Sequence, residues 1–359
     1  DEKAKVMQTK NLTYMPRMDV LRFIAAAAVI VYHVYAWGPK WEGKYVPELG
    51  NLLFLRGSAG VSLFMVMSGY LMAQIFMKYP NATFREFIYN RVVRIAPLCV
   101  LLLIGGVAAH DGNTQVFRQV LNALTLQFNV DRADLLAPLW TIATEFQFYL
   151  IMPLLAMLIA KSGISSFLKL AIFVGIFRMM IMMSVVQWAE TPFNTAYYSL
   201  IGRFDQFAIG ILLAHMPSSC ERHFRSPIHT VTALVMFAAL FYAAASNPWW
   251  ERTPFQVLIQ SYYLTVEGAV CGYFMLSFMG SRFKLPFERQ LAILGASSYS
   301  MYLLHEMIVR QYLALFPDQI LGLRMDAVII ILPLVALISL LSYSFFEKPF
   351  LAFRRGYSR

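Results

Sequence analysis

"MPRMDVLRFIAAAAVIVYH", residues 15–33, decides how the rest of the chain is read. The run is apolar enough for a membrane helix, yet Arg17, Asp19, Arg22 and His33 stand in or beside it. Arg22 and His33 are eleven positions apart, close to three whole helical turns. One face of the predicted helix therefore carries a cation and an imidazole about 16 Å apart along the axis. Asp19 precedes Arg22 by three residues, within reach to orient its guanidinium. The alanines 25–28 let a neighbouring helix, or a slender ligand, approach closely.

Moving outward, the 359 residues are 59% hydrophobic and only 14% charged. With a mean hydropathy of +0.58, so much apolar surface calls for lipid as solvent. Runs long enough to cross a bilayer as helix recur at 17–37, 58–78, 94–110, 138–160, 164–187, 196–216, 227–246, 256–280, 291–316 and 325–347. The expected fold is all-α: a polytopic bundle of about ten transmembrane helices. No internal repeat or low-complexity segment interrupts it. The chain reads as one domain, with a polar tail at 1–14, a helical core at 15–353 and no appended soluble domain. The first run has no small-residue cleavage site and is expected to be retained.

The net charge of +10 raises the question of nucleic acid, but the basic residues follow topology instead of forming a patch. Nineteen fall on one side of the predicted spans and eight on the other. By the positive-inside rule both termini are cytoplasmic, in a multi-pass membrane protein. Cys99, Cys220 and Cys271 lie in or beside spans without metal-ligand spacing, and no metal site or permanently bound cofactor is expected. The longest stretch between spans, 110–137, holds "TQVFRQVLNALTLQF", whose periodicity suits an interfacial or re-entrant helix. Trp41, Tyr45, Trp249 and Trp250 read best as interfacial belt residues.

Ionisable groups inside a bilayer are costly, so those retained are functional candidates. They are Arg22, His33, Glu145, Arg178, Arg203, Asp205, Glu267 and His305. The competing structural reading is that buried arginines and carboxylates pair to lock helices together. Glu145 enters its span from the outer side at a depth matching His33, where it would fix the imidazole tautomer and raise its basicity. Alternatively, Glu145 pairs with Arg203. Arg91 and Arg94, one turn apart in "FREFIYNRVVRIAPL", suit a grip on phosphate, although cytoplasmic arginines are also what topology demands. Ser68 offers a hydroxyl beside Gly69, whose better reading is close helix packing. Tyr302 and His305 share a face, His305 being either a second site group or a satisfied core histidine.

Taken in order, "RMDVLRFIAAAAVIVYH", "GVSLFMVMSGYL", "RVVRIAP", "LWTIATEFQFYLIMP", "GRFDQFAIGILLA" and "LGASSYSMYLLH" resemble the integral-membrane acyltransferase family 3, which includes O-acetyltransferases of bacterial surface polysaccharides. The resemblance implies transfer of an acyl group, usually acetyl, from cytoplasmic acyl-CoA to a hydroxyl of an extracytoplasmic or lipid-linked glycan. It makes His33 the essential histidine, Arg22 its partner, and Arg91 and Arg94 the donor-side pair, with Ser68, Gly69 and Glu145 at further motif positions. His33 would act as general base or as an acyl-carrying relay. Besides acyl-CoA, the acceptor and the bilayer, the expected partners are a second copy of the chain or a separate acceptor-side protein. The rival class is a transporter or flippase of a lipid-linked or acidic substrate, against which stands the lack of a repeat.

Overall fold

The computed structural model describes residues 11–38, 56–109, 138–185, 192–217, 223–246 and 253–358. The 110–137 segment, the four belt aromatics and Cys220 lie outside the described residues. The described chain is helical, with no strand among these residues: α1 Pro16–Trp37, α2 Ala59–Lys78, α3 Phe84–Ala109, α4 Leu139–Val185, α5 Pro192–Tyr197, α6 Leu200–Ala214, α7 Ile228–Ala245, α8 Pro254–Gly280, α9 Glu288–Ala296, α10 Ser298–Leu315 and α11 Leu323–Leu351. Six of them, α1, α2, α3, α4, α7 and α11, are long and apolar enough to cross a membrane. Ile104, Phe173, Val235 and Phe345 on four of these helices are 62–79% exposed, a surface matched by lipid and not by water.

Local chemistry sets several boundaries. Proline opens α1 and α8 where its missing N–H costs nothing. Ser199 caps α6 by accepting from the Gly202 amide at 3.1 Å. The 47-residue α4 joins two of the expected spans and is divided at Gly163, whose φ of 78° suits a residue without Cβ. The third helix starts ten residues before the expected 94, at Phe84, so Arg91 and Arg94 lie within a single helix and not on a separate stretch before it. The final helix carries two π-type segments, Asp326–Ile331 and Tyr343–Glu347.

Helix α2 is the central post, packed against α1, α6 and α8. A Cβ on Gly60 would stand 2.2 Å from the Ala25 carbonyl oxygen, so the alanine face of α1 receives α2 and not a ligand. On the other side Gly69 meets the Phe207 carbonyl of α6 at 2.1 Å from its missing Cβ. Deeper in the bundle Arg178 of α4 donates to Asp205 of α6 at 2.8 Å, and Thr265 of α8 donates to the same carboxylate. Arg178 also donates to Thr265 at 2.8 Å. This is the helix-locking role of a buried pair, and Asp205 takes no part in the cavity described next.

Candidate active site

Side chains from α1, α2, α3, α4 and α10 enclose about 760 Å³ of space, part of it open to solvent, with Arg22, Ser68, Arg94, Glu145, Tyr149 and Tyr302 on its walls. A second space of about 660 Å³ shares Arg22 and Arg94 with the first and continues past Tyr14 and Arg91 to Arg354. The two adjoin across this pair of arginines, and together they make up the passage. Arg22 is held there by Asp19, as the spacing predicted. Arg94 has no hydrogen bond or ion pair among the described residues and faces both spaces. Arg91 is buried, donates to the Tyr357 hydroxyl at 3.3 Å and leaves its buried Nε without a partner. The second space is thus walled by Arg22, Arg91, Arg94 and Arg354 with Asp19 as its acid, a lining whose chemistry suits an anion.

Beyond the inner end, Tyr302 meets His305 with ring centres 5.6 Å apart. Nδ1 of His305 lies 2.6 Å from the Tyr302 carbonyl oxygen. A carbonyl carries no proton, so Nδ1 is the donor and, in the neutral ring, Nε2 is the bare nitrogen. Nε2 is 3.0 Å from Nδ1 of His33. His33 must donate from Nδ1, which leaves its Nε2 as the basic nitrogen. On the far side His33 stacks on Trp37 at 4.5 Å. Arg310 covers Trp37 at 4.8 Å and pairs with Glu306 at 2.9 Å. Backbone, ring stack and second histidine together hold one imidazole tautomer one residue beyond the passage.

The expected His33–Glu145 bond is not formed. Glu145 instead accepts from Ser68 of α2 at 2.8 Å and from Tyr149, one turn on along its own helix. Nor does Glu145 reach Arg203. Arg203 is wholly buried, donates to Ser62 and Gln206 at 3.1 Å and to the Tyr197 carbonyl at 2.9 Å, and lies 4.0 Å over the Tyr197 ring. Ser62 passes the link to Glu267. Of the residues singled out from sequence, the structure thus gathers Arg22, Ser68, Arg94, Glu145 and Tyr302 on one wall system, with Arg91 on the adjoining second space. It sets His33 and His305 just past that system, Gly69 in a helix contact, and Arg203 and Asp205 in separate buried networks.

Two residues of the passage escaped the sequence reading. Tyr149 stands four residues after Glu145, a spacing that marks a shared face. Arg354 counted only as a topological charge. Burial, with repulsion from Arg94 and Arg91, pushes its guanidinium down to about 9.

The family model described as an acyltransferase domain, acyltransferase family 3, matches residues 15–345. The chain is 25% identical to "Putative peptidoglycan O-acetyltransferase YrhL" of Bacillus subtilis (strain 168), over 95% of this chain and 56% of that protein. It is 23% identical to "Putative O-acetyltransferase SAS0844" of Staphylococcus aureus (strain MSSA476), over 95% of this chain and 58% of the relative. A third relative, "Putative membrane-bound transacylase BcsY" of Komagataeibacter xylinus, is 25% identical over 92% of this chain and 81% of its own length. The chain therefore spans somewhat more than half of the first two relatives. No solved structure matches. With the family match running from the first helix into the last, the chain is a multi-pass membrane protein that belongs to acyltransferase family 3.

Proposed function

We propose that this protein transfers an acyl group, acetyl in the simplest case, from cytoplasmic acyl-CoA to a hydroxyl of an extracytoplasmic or lipid-linked glycan, and that it crosses the bacterial inner membrane ten times with both termini cytoplasmic. The observation that carries this reading is the polarity of α1. Arg22 lies between the two cation-lined spaces, and His33, three turns on, is set by His305 in the tautomer whose Nε2 carries no proton. The names of the relatives, O-acetyltransferases and a transacylase, support the reaction class.

In this reading the donor's phosphates lie against Arg91 and Arg94, and its thiol arm follows the passage past Ser68 towards Tyr302. Nε2 of His33 takes the proton from the acceptor hydroxyl as its oxygen attacks the thioester carbonyl carbon. Collapse of the tetrahedral adduct breaks the carbon–sulfur bond, and the departing thiolate takes the proton back from the imidazolium. His305 keeps His33 in the tautomer this step requires. Because Tyr302 closes the passage short of the histidines, its side chain must move, or the acyl group must pass beside it, for the thioester to reach Nε2.

The test is turnover by purified protein given acetyl-labelled acetyl-CoA and a cell-envelope glycan acceptor. Free CoA and labelled glycan in equal amounts are expected. Movement of substrate across a vesicle membrane without release of CoA would replace this reading with transport.

A further inference from the structure

The residues after α11 do not trail away from the bundle. Asn90 of α3 grips the backbone of Arg355 in both directions, donating to its carbonyl at 3.0 Å and accepting from its amide at 2.8 Å. Asn11 donates to the same carbonyl at 3.2 Å, and Lys78 at the end of α2 donates to the Asn11 carbonyl at 3.0 Å. Tyr357 is 7% exposed, packs against Tyr79 and accepts from Arg91. Ser358 donates to Glu86 at 2.6 Å. Ordering a polar chain end costs conformational entropy at every residue, so bonds this dense define a particular placement. The two adjacent arginines are parted by it: Arg355 lies over the Tyr89 ring at 4.3 Å, while Arg354 turns into the wall of the passage.

The charge count at that wall is lopsided. Four arginines, Arg22, Arg91, Arg94 and Arg354, face a single carboxylate, Asp19, which is already engaged by Arg22. Arg94 makes no hydrogen bond or ion pair among the described residues and is drawn to Glu145 and Glu347 only at longer range, while Arg91 and Arg354 each keep a buried, unsatisfied Nε. Cations that outnumber the acids around them repel one another, and an anion of several charges relieves that repulsion. A nucleotide carrying a diphosphate and a further phosphate has that chemistry. A lone pair one turn apart on α3 grips one phosphate; a third arginine arriving from a different segment extends the grip to a second.

We propose that the strap at 353–358 is part of the donor site: Arg354 binds a phosphate of the CoA nucleotide, and Asn90 is the positioning residue that sets it there. This rests on the acyl-CoA reading above and adds a recognition element to it. Asn90 acts only through the backbone of Arg355 and does not touch the donor.

The test compares CoA with pantetheine, which has the thiol arm but no nucleotide, binding to the purified full chain in detergent by titration calorimetry. Arg354→Ala is expected to weaken CoA about tenfold, the size of one lost charge-assisted contact, and to leave pantetheine unchanged. Arg354→Lys is expected to recover part of the loss. Asn90→Ala is expected to weaken CoA and spare pantetheine, whereas a merely structural role would weaken both alike. If the wild-type protein binds no CoA, the acyl-CoA reading fails and the strap's assignment with it. If the wild type binds CoA and Arg354→Ala binds it equally, the strap's assignment alone is overturned. Should Arg354→Ala fail to fold, the Lys and Asn90 variants decide by the same comparison.

Discussion

His33 and His305 share a proton in one direction only. The Tyr302 carbonyl takes the proton on Nδ1 of His305 at 2.6 Å, so the 3.0 Å contact between the rings runs from His33 Nδ1 to His305 Nε2. Replacing His33 with Ala removes the base and is expected to lower kcat by about 10²–10⁴-fold. His305→Ala leaves the base present but frees its tautomer, so kcat should fall by about tenfold with the donor KM unmoved. His305→Gln, which keeps an acceptor oxygen on the side chain, should recover part of that loss. Steady-state kinetics on the three variants check this, and an unchanged kcat in His305→Ala would contradict it.

Glu145 is bound to Ser68 and Tyr149 and not to the histidines. Double-mutant cycles separate the two arrangements. Glu145→Gln combined with His305→Gln should be additive in ln kcat to within about 0.5 kcal/mol, as for groups without a shared partner. Glu145→Gln combined with Ser68→Ala should deviate by more than that, because the hydroxyl and carboxylate share one bond. A strong coupling between Glu145 and His305 instead would restore Glu145 as the orienter of His33.

What could be read from sequence was phase along a helix. The offset of Arg22 from His33 and the reach of Asp19 to Arg22 depend only on the helical repeat, and the Asp19 contact is present. What could not be read was adjacency between helices. His33 and Glu145 have compatible depths, but α10 brings His305 against α1, and Ser68 of α2 takes Glu145. Periodicity contains no information on which faces meet. Arg354 was hidden for a related reason: its direction is fixed by bonds from Asn90, 265 residues away from Arg355 in the chain. The break at Gly163 was legible, because Lys161, Ser162 and Gly163 interrupt the apolar run between the expected spans 138–160 and 164–187.

The Arg178–Asp205 pair tests the locking role of buried charge. Arg178 is 2% exposed, and its removal strands the Asp205 carboxylate among α4, α6 and α8. Arg178→Ala is expected to cost about 3–5 kcal/mol. Arg178→Met together with Asp205→Asn, which leaves no lone charge, should be markedly more stable than Arg178→Ala. Thermal unfolding in detergent measures both. Equal losses in the two proteins would show that the charge pairing itself contributes nothing.

Close helix approach makes a sharper steric prediction. A Cβ at position 295 would stand 1.7 Å from the Asp19 carbonyl oxygen, and backbone cannot yield as a side-chain tip does. Gly295→Ala should therefore push α9 from α1 and cost about 1–3 kcal/mol in unfolding free energy. Because Asp19 holds Arg22, the same substitution should weaken CoA binding, while Gly105→Ala, with open space around it, should change neither quantity.

Arg354 supplies the pH dependence. Burial, with repulsion from Arg94 and Arg91 and partly offset by Tyr357 and Tyr343, lowers its guanidinium to about 9. A base with a depressed folded-state pKa is charged below that value and neutral above it. Its attraction for a phosphate is therefore complete at neutral pH and lost as the pH rises through about 9. In the unfolded chain the guanidinium keeps its proton to higher pH. The ligand-free protein thus gains stability from this group as pH rises above about 9, while the CoA complex loses its contact. Calorimetric CoA affinities at pH 7 and pH 10 should consequently differ more in the wild type than in Arg354→Ala. Every other group is common to both proteins, so the difference between them isolates Arg354. Equal pH dependence in the two would mean that the guanidinium keeps its charge throughout, and the crowding of Arg91, Arg94 and Arg354 would then be neutralised by some means other than deprotonation.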